Sequence, residues 1–301
     1  MQCAPVIIFV YDRVDRFIEV YKSLCLNKLI NETDLYIFSD AYDERKNNKF
    51  GVDQVRDYIN IVKSENLFKN IRTVLAETHK GLANSVIDGV TQIIKEYGSV
   101  IVLEDDLIVS DSFLDYMNRA LVYYEKNSKI WSISGYTLSF HRLNNYKYDV
   151  YGAVRGDSWG WATWKDRWEK VRWDIPDFEE FLEDVEAQKR FNYGGADMTN
   201  LLISQKKGLS DSWAIRWNYQ QFRENMISIF PTRSQVKNMG WSGDGTNCDK
   251  AILKIWDTKI KTYDEMVKFY DCEVDKAIMK KTQRAYSKSL LQRIILILDK
   301  I

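Results

Sequence analysis

Three adjacent acids, Glu104, Asp105 and Asp106, interrupt the stretch SVIVLEDDLIVS (Ser99 to Ser110), with apolar residues on both sides. Adjacent carboxylates repel, and burying them is costly unless they are paired or bind a cation. Their chemistry suits a hard divalent ion such as Mg2+ or Mn2+, which takes oxygen ligands and often shares them between one or two carboxylates and a substrate's phosphates. On an extended chain Glu104 and Asp106 would face one side and Asp105 the other, so one side could hold a metal while the other meets a hydroxyl. A solvated loop would be the simpler reading of three acids, and their position decides between the two.

That position comes from the flanking elements. PVIIFVY (Pro5 to Tyr11) reads as a buried strand, and Phe17, Val20, Tyr21 and Leu24 then follow at helical spacing. DLYIFSD (Asp34 to Asp40) and IRTVLAE (Ile71 to Glu77) are the next strands, with a helical stretch between them. Leu82, Val86, Val90, Ile93 and Ile94 share one helical face, and Gly98 stands where a helix would end. SVIVL is a fourth strand, and IWSISGYTLSF a fifth after another helix. Strands alternating with helices predict a parallel α/β sheet, in which ligands collect beyond the carboxyl ends of the strands. The acids leave the fourth strand at such an end.

Bulk properties exclude several classes. The chain has 301 residues with 43 basic and 43 acidic side chains, so overall charge makes no case for nucleic-acid binding. Cys3, Cys25, Cys248 and Cys272 form no C-x-x-C pair, so no zinc or redox motif is signalled and a reduced, cytoplasmic setting is expected. With only His79 and His141, histidine-rich metal sites are not expected. The apolar run at the N-terminus has no basic residue before it and stops at Asp12, unlike a signal peptide or a membrane span.

The motifs VIIFVYDR, the strand ending in SD and the strand ending in EDD together resemble an inverting GT-A glycosyltransferase. The pattern is similar to N-acetylglucosaminyltransferase I and to bacterial family 2-type transferases that build surface polysaccharides. SWGWATWKDRWEKVRWD, DSWAIRW and VKNMGWSGDGTNC extend the likeness in order, over about residues 4–249. The resemblance implies a GT-A fold, with a mixed, mostly parallel sheet flanked by helices, a Mn2+ or Mg2+ cofactor and a nucleotide-sugar donor, a UDP-sugar by preference. It places the nucleotide-sugar half at 1–110 and the acceptor and catalytic half at 111–249, and the residues beyond them read as a basic helical extension at 250–301.

Carried over residue by residue, the resemblance assigns donor contacts to Arg13, Asp40, Lys80, Asn84, Glu104 and Asp105, and direct metal ligation to Asp106. It assigns the catalytic base to Asp211, two residues before Trp213. Asp211 could instead cap the helix that starts there, and Asp197 is the rival base. Lys80 and Asn84 could equally be a solvated lysine and a capping asparagine, and His79 reads as a loop residue. Asp157, Trp159, Gly160 and Trp161 are candidates for the sugar and acceptor pocket, although Trp161, Trp164 and Trp168 also fit a buried helical stripe. GWSGDGTNC reads as a lid over the donor, with Asn247 where several relatives have histidine.

The tail carries Lys276, Lys280, Lys281, Arg284, Lys288, Arg293 and Lys300 and ends in an apolar run too short to span a bilayer. It suits a helix on the anionic inner face of a membrane, or one packed on the protein. The first would fit an acceptor in a growing bacterial surface glycan, whether capsule, lipopolysaccharide or lipid-linked oligosaccharide. Two other readings are a non-catalytic carbohydrate-binding or scaffold protein and a nucleotidyltransferase. The latter is disfavoured because YDRVDRF lacks the glycines of a phosphate loop.

Overall fold

The computed structural model describes residues 3–139, 143–240, 258–261, 263 and 265–286. Within them the chain folds as α/β, with helices on both faces of a mixed, mostly parallel sheet of eight strands. The first four strands are β1 (Val6–Val10), β2 (Asp34–Ser39), β3 (Asn70–Leu75) and β4 (Ser99–Glu104), all mutually parallel and ordered 3-2-1-4. β1, an interior strand, is buried along its whole length, which is why its sequence is a continuous apolar run. Helices α1 (Val14–Cys25), α2 (Lys49–Glu65) and α3 (Leu82–Tyr97) connect these strands. α3 lies against Phe9 and Phe38: a Cβ at Gly89 would come within 2.8 Å of the Phe9 ring. Gly98 ends α3 as expected, its N–H donating to Ile94 O at 2.9 Å.

The order reverses between β1 and β4. Chain leaving β1 moves outward through β2 and β3, then returns to the other side of β1. A crevice opens at such a switch point beyond the carboxyl ends of the two strands. Phe9 pairs with Glu104, so Tyr11 to Arg13 and Asp105 to Asp106 emerge side by side.

Beyond Asp106 come β5 (Leu107–Val109), α4 (Phe113–Tyr124) and β6 (Ile130–Ser134), the last shorter than the expected fifth strand. Then follow β7 (Val150–Ala153), β8 (Trp161–Trp164), β9 (Ile227–Pro231) and β10 (Val236–Asn238). β8, β6, β9 and β7 complete the sheet, and β5 pairs with β10 in a separate ribbon. Trp161 and Trp164 therefore lie on a strand and not on a helix. Three residues apart on a strand, they face opposite ways. Trp161 joins Trp131, Trp168, Trp213 and Trp217 under α3, while Trp164 packs on the α4 side. The acidic stretch at 176–191 forms two helices, Phe178–Glu183 and Val185–Phe191, because the Asp184 carboxylate between them caps Ala187 N at 2.8 Å.

The basic tail is helical over Lys276–Ala285. Its apolar face, Ile278, Met279 and Ala285, is buried, and Ile278 and Met279 pack with Tyr151 and Phe230. The chain leading to it is bound to helix α4 through Arg119 to Val267 O (2.9 Å) and Tyr124 to Tyr270 O (2.7 Å). In its described part the tail thus packs on the protein. The apolar end, residues 287–301, lies outside the described residues, as do most of the expected lid and Asn247. Among the described residues no helix is long and apolar enough to cross a membrane.

Candidate active site

The site begins at the switch point. The strand stops at Glu104, and Asp105 and Asp106 form the turn into β5. The expected alternation is therefore broken. Both aspartates reach the same guanidinium: Arg13 donates to Asp105 Oδ1 and, at 3.2 Å, to Asp106 Oδ2. Burial works against the Arg13 charge, but Asp105 and Asp106 outweigh it and hold its pKa above the ordinary value. Burial pushes Asp105 up to about 6, opposed by Arg13. Glu104 is raised well above the usual carboxylate range by burial first and then by Asp106 and Asp105, with Asp157 adding to the effect. Arg13, expected to hold a nucleotide, first holds the acid turn together.

Asp105 Oδ2 is buried with no hydrogen-bond partner among the described residues, a costly state for a carboxylate oxygen. Among the described residues there is no cluster of three or more His, Cys, Asp or Glu placed as a metal cage. The donor set nonetheless fits a hard cation that keeps most of its other ligands from water and phosphate. Gly240, at the end of the β10 ribbon, lies over Asp106: Met239 N donates to Asp106 O at 2.8 Å, and a Cβ at Gly240 would sit 2.6 Å from Asp106 Oδ2. The expected lid therefore departs from the acid turn itself.

A second cluster stands at the end of β2. Asp40 Oδ1 accepts from Ala41 N (2.8 Å) and Lys80 N (2.9 Å), and Oδ2 accepts from Gly81 N (2.9 Å) and lies 2.8 Å from His79 Nδ1. With both oxygens so taken, Asp40 builds the loop leading into α3. His79 stacks on Tyr11, ring centres 5.3 Å apart, a pairing that sequence spacing did not suggest. Lys80 is exposed and pairs with Asp88 at 2.8 Å, and Asn84 donates to Lys80 O at 2.9 Å. Gly81, with φ +79°, takes a left-handed turn that brings the backbone to the helix start.

Asp211 lies on the far side of this turn, its Oδ2 3.7 Å from where a Gly81 Cβ would be. It does not cap helix α5 (Trp213–Arg223). Ser212 does, accepting from Ile215 N at 3.3 Å. The Asp211 carboxylate is more than half exposed and meets the edge of Arg216, at 3.5 Å. The rival, Asp197, is held by both arms of Arg155 at 2.7 and 3.2 Å, which engages its lone pairs.

A cavity of about 380 Å3 lies beside these groups, with Arg155, Asp157, Trp159, Asp197, Ser212 and Tyr286 in its walls. Asp157 accepts from Trp159 N at 3.0 Å, and Trp159 stands edge-on to Tyr136, ring centres 4.6 Å apart. Two expected pocket residues are not in the lining. Trp161 is fully buried and stacked on Trp213 at 5.0 Å, so no sugar reaches it. Gly160 (φ +68°) is a packing point, where a Cβ would strike Val236 Cγ2 at 2.7 Å. Conversely, Arg155 and Tyr286 are wall residues that the sequence patterns did not single out. Arg155, a lone cation just after an apolar strand, carried a readable signal; Tyr286 carried none.

Burial raises Asp157 to about 6, with Trp159 N and Arg155 pulling the other way. Below the unfolded carboxylate pKa the acid is neutral in both folded and unfolded chains and costs nothing. As pH rises through about 6 the folded protein must hold a desolvated charge, and stability falls. Asp157→Asn is therefore expected to raise Tm by several degrees at pH 8, a gain of up to about 3 kcal/mol, and to raise it much less at pH 4, near the unfolded pKa. Equal shifts at both pH values in thermal melts would contradict this account of the acid.

No protein-family model matches the chain, and no curated protein matches it. Several solved structures are similar in part. The mannosyltransferase PcManGT from Pyrobaculum calidifontis, in complex with GDP-Man and Mn2+, aligns at 10% identity and TM-score 0.41, over 57% of this chain and 47% of that one. GalNAc-T7 with UDP, GalNAc and Mn2+ aligns at 9% and 0.45, over 77% and 43%. The glycosyltransferase GlyE of Streptococcus pneumoniae TIGR4 aligns at 13% and 0.36, over 84% and 60%. The chain spans less than two thirds of each of these structures. Overlaps of this extent leave the functional reading to the sheet order and side chains of this protein.

Proposed function

We propose that the protein is a GT-A-type glycosyltransferase that moves a sugar, with inversion, from a nucleotide-sugar to a hydroxyl of a growing surface glycan. The donor is a UDP-sugar and the transfer depends on a divalent metal. The observation that carries this reading is the acid turn Asp105–Asp106, joined to Arg13 at the reversal between β1 and β4. A cavity with its own carboxylates lies beyond it.

In this reading the diphosphate of the donor lies at the switch point, near Arg13 and the start of α3, where backbone N–H groups and the helix dipole favour negative charge. Asp106 would hold a Mn2+ or Mg2+ ion, which when bound supplies positive charge to the departing diphosphate. Asp40 positions the loop carrying Lys80, Asp105 fixes Arg13 at the turn, and Glu104 supports the ribose or sugar side. Asp211 takes the proton of the acceptor hydroxyl as its oxygen attacks the anomeric carbon. The new carbon–oxygen bond forms on the face opposite the leaving group, and the nucleoside diphosphate departs with the electron pair.

Titration calorimetry with a panel of nucleotides and nucleotide-sugars, with and without Mn2+, tests the reading. UDP and UDP-sugars are expected to bind in a metal-dependent way, at least tenfold more weakly in Asp106→Ala. A folded protein that binds no nucleotide under either condition would overturn the proposal in favour of a non-catalytic carbohydrate-binding role.

A further inference from the structure

The cavity is assembled from distant parts of the chain. Arg155 follows β7, Asp157 and Trp159 precede β8, Asp197 precedes the helix Met198–Lys206, Ser212 caps α5, and Tyr286 follows the helix Lys276–Ala285. Arg155 is fixed on both sides. Its guanidinium carbon stands 3.6 Å from the centre of the Tyr286 ring, and its two arms bond Asp197 at 2.7 and 3.2 Å. Its charge is thereby spent within the wall. Asp157 adds a second carboxylate, and among the described residues the lining has no second cation.

Resting on the transferase reading above, we propose that this cavity binds an uncharged pyranose unit of the acceptor and excludes acidic sugars, with Tyr286 acting as a specificity-determining residue. The volume lies near the lower end of small-molecule pockets, about 300–1,000 Å3, which suits a sugar unit and not a long chain. Sugar hydroxyls are donors for carboxylates such as Asp157, while Trp159 and the apolar side chains Leu138, Met198 and Ile215 offer surface to the ring's C–H faces. A hexuronate would bring a third carboxylate to a wall whose guanidinium is already engaged. In a half-buried site that repulsion is stronger than in water. Ser212 lines the cavity and is the chain neighbour of Asp211, which sets a ring bound here beside the proposed base. The tail helix is then part of the site, because its last turn leads into the residue that orients Arg155.

The test uses the full chain and three probes: the methyl glycosides of glucose, N-acetylglucosamine and glucuronic acid, with affinities read by ligand-observed NMR. The two neutral glycosides are expected to bind, and the glucuronide at least tenfold more weakly. Tyr286→Ala should weaken neutral binding several-fold, Tyr286→Phe should restore it, and Asp157→Asn should narrow the gap to the glucuronide. If Tyr286→Ala does not fold, Asp157→Asn carries the test. Equal binding of the glucuronide, no binding of any glycoside, or indifference to the variants would overturn the inference. Nucleotide titration of the same samples separates the two proposals. Nucleotide binding without glycoside binding defeats the cavity assignment alone, and glycoside binding without nucleotide binding defeats the transferase reading alone.

Discussion

Replacing Asp211 with asparagine is expected to lower the turnover of sugar transfer by about 10²–10⁴-fold, the usual contribution of a positioned general base, while leaving nucleotide-sugar binding unchanged. The side chain is more than half exposed, is not the helix cap and meets Arg216 at 3.5 Å, so the substitution removes little packing. Asparagine keeps the shape but cannot accept a proton. A structural role would show as a loss of Tm or as a rise in KM. A role as base would show in kcat alone, with the acidic limb of the pH–rate profile removed. Asp197→Asn supplies the contrast. It breaks the paired hydrogen bonds to Arg155 and should disturb acceptor binding more than turnover. If Asp211→Asn retains full turnover, the base lies elsewhere.

Trp161→Ala should have the largest effect on stability, about 3–5 kcal/mol, as for other large aromatic residues removed from a core. Trp161 is fully buried and packs against Trp168, Trp213 and Trp217 with ring centres 5.0–5.9 Å apart. These rings join β8 to α3 and α5, so their loss leaves a cavity between the sheet and the helix that begins beside Asp211. Denaturant unfolding reads the effect directly. Trp159→Ala, half-buried at the cavity, should cost much less stability and act instead on sugar binding. If the two variants exchanged these effects, the assignment of Trp161 to the core and Trp159 to the pocket would be reversed.

The contrast between these tryptophans marks the limit of what local pattern conveys. A three-residue spacing satisfies a helix as well as a strand, and Trp161 and Trp164 are compatible with both until β8 pairs with β4 and β6. The acid triplet was legible as a strand end, because a continuous apolar run that breaks into charges marks where a buried strand reaches the surface. That Asp105 and Asp106 share one guanidinium was not legible, because it depends on the chain turning at Asp105. Asp40 read as a strand-end acid, yet which partners its oxygens take depended on the approach of residues 79–81.

By itself the sequence determined β1 to β4, α1 and α3, the α/β class and the edge at which the acids emerge. These follow from local patterns: apolar runs in the buried strands β1, β2 and β4, a short β-branched run in the edge strand β3, 3.6-residue periodicity in helices, and a glycine at a helix end. Tertiary structure alone decided the order 3-2-1-4, which places Arg13 against Asp105 and Asp106. It also decided the freedom of Asp211 from capping and the pairing of Arg155 with both Asp197 and Tyr286. Such contacts join residues far apart in the chain, and their geometry is set by the packing of whole elements, which no local pattern of residue types encodes.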